Sequence, residues 1–483
     1  MGPLLGLLTA SMGGSLVYLI MFFRSRERAE AWQRAARAAG LTSVQASGSM
    51  GFNSRLTGLA GPLRVRLESY QHGKNESGTR IVVGGLRHGS YALTIRPEGI
   101  GTAIEKTVGE RETEVGDEAF DNAAYLQGEP ALIHALFDAD TRRLMRRLLL
   151  GQLRVEGPRG ATELRVRAGV SDSELRVEIR ESLFGGTLES IPAVLVLMVD
   201  LGKRLMRPDD LAAAIAANTS REPLPAVRLA NLQLLARQQP THPATRTTLL
   251  AGLGDDNAAV RLQAAISVGP EGHATLQEFT TREDVSDGIA ARAIMVLGQE
   301  FPCKTAIIRL RRAREVGQSR TARACVDVIG KAGTGEAIET LVGVLAASQE
   351  ELAVAAANGL GTTPSEESER ALVAALDHEA AAVRVAAAEA LGRIGSPQAV
   401  ASLRECAATH RFDGTLRRAT RHAIVEIQAR VTGASPGQLS LAAGDAGQVS
   451  LADEDQRGRV SLEPDGGTAP ASDGSPTSPT RSP

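Results

Sequence analysis

The stretch Asp377-His378-Glu379-Ala380-Ala381-Ala382-Val383-Arg384-Val385-Ala386-Ala387-Ala388-Glu389-Ala390-Leu391-Gly392-Arg393-Ile394-Gly395 is the clearest copy of a unit that recurs through the chain. Val383–Gly392 aligns with Val260–Gly269, Ile289–Gly298, Thr321–Gly330 and Leu352–Gly361. The closing glycines fall at 269, 298, 330, 361 and 392, in steps of 29, 32, 31 and 31. Val227–Ala236 and Leu416–Val425 fit the same frame without the glycine, as terminal repeats of a capped stack do. Self-similarity at this period marks a helical repeat array. Each unit reads as two short helices, with Asp377 as a cap for a first helix over Glu379–Arg393 and Gly395 as its stop. Ser396-Pro397 then opens the second. Ala386, Ala387 and Ala390 allow close helix packing, and one such pair buries both faces only when neighbours stack on it.

The pattern Asp…Val-Arg-x-x-Ala-x-x-Ala-Leu-Gly-x-Ile-Gly resembles the HEAT-like repeats of the phycobilisome-lyase type. That resemblance implies an α-α superhelix over 223–431 and a surface for partners. It implies no bilin lyase activity, since nothing in the sequence suggests a pigment pocket. Arg228, Arg261, Arg384 and Arg417 share one position of the repeat and are expected to act structurally.

Working outward, residues 41–205 change texture. Leu63, Val65 and Leu67 alternate with Arg64, Arg66 and Glu68, which predicts a half-buried strand over Pro62–Tyr70. Further strands are expected over Arg80–Gly85, Ser90–Arg96, Ala103–Val108, Gln152–Glu156, Thr162–Ala168 and Glu174–Glu181. Gly84–Gly89 reads as a hairpin connection, since its glycines match no phosphate-binding spacing. A helical stretch over Pro130–Leu150 is broken at Asp138–Asp140, and Ile191–Val199 is a buried helix covering the sheet. This is a mixed α+β domain. Glu110, Glu112, Glu114, Asp117 and Asp121 have no histidine at ligand spacing and read as solvated carboxylates. Gly116–Asp121 loosely resembles a stretch of bacterial membrane-anchored proteins, which carries no chemistry with it.

Leu4–Phe23 is an uncharged run long enough to cross a bilayer as a helix, and Arg24, Arg26 and Arg28 follow it. Residues 1–23 are therefore expected to form a transmembrane anchor, and 24–40 a charged juxtamembrane helix. The positive-inside rule puts the bulk in the cytoplasm at a bacterial inner membrane. Gly2, Gly6, Ala10 and Gly14 form a small-residue stripe suited to self-association of that helix. The tail, 432–483, is rich in Gly, Ser, Pro, Ala and Asp and is expected to be disordered. It contains an acidic triplet, Asp453-Glu454-Asp455, and three echoing triplets, Leu439-Ser440-Leu441, Val449-Ser450-Leu451 and Val460-Ser461-Leu462.

The 483 residues are 43% hydrophobic but only 3% aromatic, with a formal net charge of −2. Such a balance suits thin Ala/Leu/Val cores and excludes global steering towards nucleic acid. The basic residues are nearly all arginine, in keeping with a GC-rich bacterial genome. Cys303, Cys325 and Cys406 form no CxxC pair and read as small buried hydrophobes in a reducing compartment. Cys406 and His410 are too few for a metal site. There is no HExxH, GxSxG or Walker sequence, and no cofactor or metal is expected. The partner-binding candidates are the arginine-rich helices: Arg309, Arg311, Arg312 and Arg314, and Arg418 and Arg421. The Arg309–Arg314 group spreads round its helix instead of forming a stripe. The expected function is a membrane-anchored interaction scaffold presenting the solenoid to an acidic protein. The alternatives are a solenoid that binds nucleic acid and an enzyme with its site in 41–205.

Overall fold

A computed structural model of the chain describes residues 23, 25–48, 54–72, 76–86, 93–97, 112–157, 160–171, 173–180, 187–346, 349–430, 439–441 and 449–451. The chain divides into two compact units, Met1–Leu297 and Gly298–Pro483.

The first unit is built on an antiparallel sheet in the order β1-β2-β3-β4-β9-β8-β5-β6, with β7 pairing β8. Its strands are β1 (Thr42–Ser47), β2 (Arg55–Ala60), β3 (Leu63–His72), β4 (Glu76–Gly84), β5 (Thr94–Pro97), β6 (Ala124–Gln127), β7 (Gln152–Gly157), β8 (Gly160–Ser171) and β9 (Glu174–Arg180). Period-two alternation sorts their side chains by face. Leu56, Leu63, Val65, Leu67, Ile81, Val83, Leu175, Val177 and Ile179 are each at most 2% exposed. They share one core with α1 (25–38) and α5 (Thr187–Arg204). The indole of Trp32 on α1 donates to Thr79 Oγ1 at 3.2 Å, so the single tryptophan belongs to this core.

The other face carries charge in cross-strand register: Arg55, Glu68, Arg80 and Glu178 stand in one row. Arg80 bridges Glu68 at 3.2 Å and Glu178 at 2.7 Å. Opposite charges facing each other across strands stabilise a sheet. Tyr70 lies opposite Gly78, where a Cβ would meet the Tyr70 ring at 2.8 Å and the Ile179 carbonyl at 2.1 Å. The glycine makes room for the ring, and the Arg80 guanidinium lies 5.4 Å from that ring's centroid.

The hairpin expected at Gly84–Gly89 does not join neighbours: β4 pairs with β3 and β9, and β5 with β6 and β8. Strands β1, β2 and β6 were not expected, and 103–108 lies outside the described residues. The break at Asp138 is as expected. It separates α3 (Pro130–Leu136) from α4 (Ala139–Leu149), and the Asp138 carboxylate accepts from Thr141 N at 2.7 Å.

Six further helices follow among the described residues of the unit: α6 (Leu211–Arg221), α7 (Pro225–Gln238), α8 (Pro243–Gly252), α9 (Ala258–Val268), α10 (His273–Thr281) and α11 (Asp287–Leu297). α6 occupies the stretch left between the expected domains, and Ala212 and Ile215 bury there with Ala131, Leu234 and Leu235.

The second unit contains α12 (Cys303–Val316), α13 (Ser319–Ala332), α14 (Gly335–Leu345), α15 (Glu350–Leu360), α16 (Glu366–Ala374), α17 (Ala381–Ile394), α18 (Ala399–Thr409) and α19 (Gly414–Arg430). It is a helical solenoid. Helices α13, α15, α17 and α19 carry the repeated pattern and pack on one another in sequence. Their closing glycines set the spacing. A Cβ on Gly330 would meet Gly359 Cα at 2.8 Å, one on Gly361 would meet Ala390 Cβ at 2.7 Å, and one on Gly392 would meet Ala423 Cα at 3.0 Å. The carbonyls of those glycines accept from the next repeat: Thr362 Oγ1 reaches Gly330 O at 2.7 Å, Arg393 Nε reaches Gly361 O at 3.3 Å, and Arg430 Nη1 donates to Gly392 O. Asp377 closes a 3-10 turn and α17 starts four residues later, so it is not the cap. His378 Nδ1 accepts from Ala380 N there instead, at 3.0 Å. Pro397 likewise stands before α18, which begins at Ala399.

The membrane-spanning part of the expected architecture is corrected as well. Among the described residues no helix is long and apolar enough to cross a membrane, which overturns an architecture headed by a transmembrane helix. Leu4–Met21, Phe22 and the stripe Gly2, Gly6, Ala10 and Gly14 lie outside the described residues. Of the tail, expected to be disordered, the described residues are β10 (Leu439–Leu441) and β11 (Val449–Leu451), which pair as a two-stranded antiparallel ladder in register Leu439↔Leu451. Two of the echoing triplets thus pair with each other, and Val460–Leu462 lies outside the described residues.

Ala387 is 0% exposed on α17. Ala387→Asp is expected to unfold the C-terminal repeats, because an unpaired buried carboxylate costs several kcal/mol. Hydrogen exchange read by mass spectrometry will show protection lost over 350–430 and retained in β3, β4 and β9. Full protection of α17 in the variant would mean that Ala387 does not face a helix.

Candidate functional site

Two places gather chemistry-bearing side chains. The first is a buried joint in the first unit. Gly116-Asp117-Glu118-Ala119-Phe120-Asp121 folds into it as a turn and one short helix, α2 (Glu118–Asp121). Gly116 has φ +89°, and a Cβ there would meet the Ala226 carbonyl at 3.1 Å. Asp121 accepts from Val115 N at 3.1 Å and Gly116 N at 3.0 Å. Burial pushes its pKa up, opposed by those two hydrogen bonds. Phe120 packs on Phe137, centroids 5.3 Å apart. Asp117 caps α2 and accepts from Arg142 Nε at 2.8 Å.

Arg142 is 2% exposed and Glu222, which comes directly after α6, is 1% exposed at its side chain. The guanidinium donates from Nη1 and Nη2 to the two Glu222 oxygens at 2.9 and 2.8 Å, and from Nη1 to Phe137 O at 2.9 Å. A bidentate pair with its spare donors occupied is the form in which a buried ion pair is tolerated. His134 lies beside it, Nδ1 2.6 Å from Asn231 Oδ1, and its pKa is lowered by burial in the first place. Asn218 on α6 donates to the carbonyls of His134 and Ala135 at 3.0 and 2.9 Å, closing the end of α3. Asp117 and Asp121, expected to be solvated, are thus part of the joint. Their signal was the glycine before them and the phenylalanine between them.

The repeat arginines extend the same logic. Each reaches back over its own turn. Arg228 Nη1 donates to Glu222 O and Pro223 O at 2.9 and 3.1 Å, Arg261 Nη1 to Asp255 O and Asp256 O at 2.7 and 3.1 Å, and Arg384 Nη1 to His378 O and Glu379 O at 2.7 and 2.8 Å. Arg417 Nη1 reaches Arg411 O at 3.3 Å. Arg228 also grips the Asp255 carboxylate at 2.7 and 2.8 Å. Burial opposes ionisation of Asp255, but that grip holds its pKa below the usual carboxylate range. A groove of about 660 Å³ runs past this pair, lined by Ala216, Thr248, Gly252 and Val260. Its hydroxyls are turned to helix carbonyls, as Thr248 Oγ1 is to Ala244 O at 2.7 Å.

The second place is the last helix and the turn before it. Phe412 is 88% exposed, and the Arg411 guanidinium lies 4.8 Å from its ring centroid. Asp413 caps α19, accepting from Leu416 N at 3.0 Å. Arg417, Arg418 and Arg421 are exposed on α19. Arg418 and Arg421 have no ion-pair partner among the described residues.

The other basic helix, α12, is divided. Arg309 is 8% exposed and donates to Gln318 Oε1 at 2.9 Å, so it faces inward and leaves the expected surface. Arg311, Arg312 and Arg314 point outward, and Arg312 pairs with Glu315 at 3.2 Å. α12 and α19 stand at opposite ends of the second unit's stack and form no common site. Cys325 is buried and its thiol is pushed up to about 12 by desolvation. Cys406 Sγ donates to Leu376 O at 3.5 Å. Among the described residues no group of His, Cys, Asp and Glu could hold a metal ion.

The model of HEAT repeats matches residues 344–424, and this region is therefore a HEAT-like repeat array. No curated protein matches the chain. Among solved structures, an engineered protein is similar at 20% identity over 38% of this chain and 96% of that one, with TM-score 0.27. Human deoxyhypusine hydroxylase in complex with glycerol is similar at 19% identity over 49% of this chain and 91% of that one, with TM-score 0.25.

Glu222→Ala is expected to destabilise the first unit by roughly 3–5 kcal/mol, because it strands the Arg142 charge, while the pair Arg142→Leu with Glu222→Leu costs much less. Chemical denaturation of the three chains, monitored by tryptophan fluorescence, checks the order. His134 predicts a pH dependence. Its folded pKa lies below the unfolded value of 6.5, so the unfolded chain takes up the proton first and stability falls as pH drops below about 6.5. His134→Gln should remove that part of the slope.

Proposed function

We propose that the chain is a protein-interaction scaffold whose solenoid captures an acidic partner segment at Arg411, Phe412, Arg418 and Arg421. HEAT repeats serve as interaction scaffolds in general, through extended stacked-helix surfaces. The observation that carries the finer reading is Phe412, held 88% exposed under Arg411 and succeeded along the chain by exposed arginines without carboxylate partners among the described residues. A phenylalanine flanked by arginines supports an occupant that has both carboxylates and an apolar side chain. Arginine provides bidentate contacts to the carboxylates, and the ring provides the anchor around which an interface centres. Arg311 and Arg314 on α12 offer a separate and weaker basic face, with no aromatic exposed beside them among the described residues.

The test uses the full chain and a fluorescent peptide of alternating glutamates and leucines. Arg418→Glu with Arg421→Glu is expected to weaken binding about tenfold or more, and Phe412→Ala to weaken it severalfold, with circular dichroism unchanged. Reversal of Arg311 and Arg314 should leave it within twofold. Equal binding by all variants would refute the site. Tighter binding of random-sequence duplex DNA, with a steep salt dependence, would replace the protein partner by nucleic acid.

A further inference from the structure

We infer that the chain carries its own competitor for this surface: the acidic triplet Asp453-Glu454-Asp455 occupies Arg418 and Arg421 when no partner is bound. The inference rests on the reading of the α19 arginines as a binding surface, and adds how that surface is regulated. Charge complementarity is the first argument. The triplet is a run of three consecutive carboxylates, opposite in sign to Arg418 and Arg421, which have no ion-pair partner among the described residues.

Register is the second argument. Because Leu439 pairs with Leu451, the ladder returns the chain to where it entered. The triplet therefore begins two residues past the ladder's base. The tether between Arg430 and that base is only residues 431–438, which span at most ~27 Å. Along α19, Arg421 lies about 14 Å and Arg418 about 18 Å back from Arg430 at ~1.5 Å per residue. The triplet thus reaches both arginines with slack. Without the ladder the tether would be almost three times as long and the local concentration lower. Over a short tether, effective concentrations are on the order of millimolar. Even a self-contact with a dissociation constant of ~0.1 mM would then hold the surface closed about nine-tenths of the time and weaken partner binding about tenfold.

The experiment titrates the same glutamate–leucine peptide into the full chain, into the neutral tail variant Asp453→Asn, Glu454→Gln, Asp455→Asn, and into a control that neutralises Glu350, Glu366 and Glu367. These three are exposed on helices away from α19. Neutralising the triplet is expected to tighten binding five- to tenfold, and the control to change it less than twofold. The gain should vanish when Arg418→Glu and Arg421→Glu are added. Equal affinity of the wild-type and tail variants, with the arginine reversals still abolishing binding, overturns self-occupancy and leaves the docking surface standing. Indifference to both sets of changes overturns both. An equal gain in the control reduces the effect to net charge and overturns self-occupancy as well.

Discussion

Arg142 is the side chain on which the first unit depends. A guanidinium at 2% exposure cannot shed its proton, so every one of its faces must be satisfied within the protein. Asp117, Glu222 and the Phe137 carbonyl do this together, and each comes from a different stretch of chain. Glu222 in turn fixes the start of the next helix: its carboxylate accepts from Leu224 N and its carbonyl from Arg228. Arg228 holds Asp255, and the Asp255 carbonyl receives Arg261. One line of alternating charge thus runs from the loop beside the sheet into the second repeat. The sheet and the helices up to Leu297 fall in one compact unit, and this line of pairs is one of the links within it.

The repeat itself was plain in the sequence, since period and helix pattern repeat in five aligned segments. The closing glycine was equally visible, but its reason was not. At 330, 361 and 392 the glycine lets the next helix approach its backbone, whereas Gly269 and Gly298 have positive φ and nothing within 4 Å of where a Cβ would stand. One letter in one column answers two different constraints, crowding in one set and chain reversal in the other. No alignment of the segments separates them.

Partnership at long range was the main thing that escaped the sequence reading. The Asp117–Asp121 acids looked solvated because no nearby residue balances them, and their partners are backbone amides and an arginine 25 positions on. Arg309 looked like part of a basic helix. Its inward turn comes from a helical position that α13 and Gln318 cover, and composition does not record which side of a helix is covered. Phe412 went unremarked in the sequence because one aromatic in a turn is normally buried, and only the structure shows it standing out. Strand β1 was missed since it is exposed throughout and lacks an alternating pattern.

The outward face of α19 admits a simpler account, namely the polar cap that any stack of repeats needs at its end. That account explains why Leu416, Ala419, Ala423 and Ile427 turn inward while Arg418, Arg421 and His422 turn out. It does not explain their sign. A cap is served best by mixed charges that pair along the helix, as His422 does with Glu426 at 3.5 Å, whereas Arg417, Arg418 and Arg421 repel one another within little more than a turn. Nor does a cap call for a phenylalanine in water. Exposed apolar area that covers no core stabilises nothing in the folded chain, and Arg411 shields one face of the ring only. The cap accounts for the polarity of the surface, and the excess of arginine beside an exposed ring is left for an anionic, partly apolar occupant to explain.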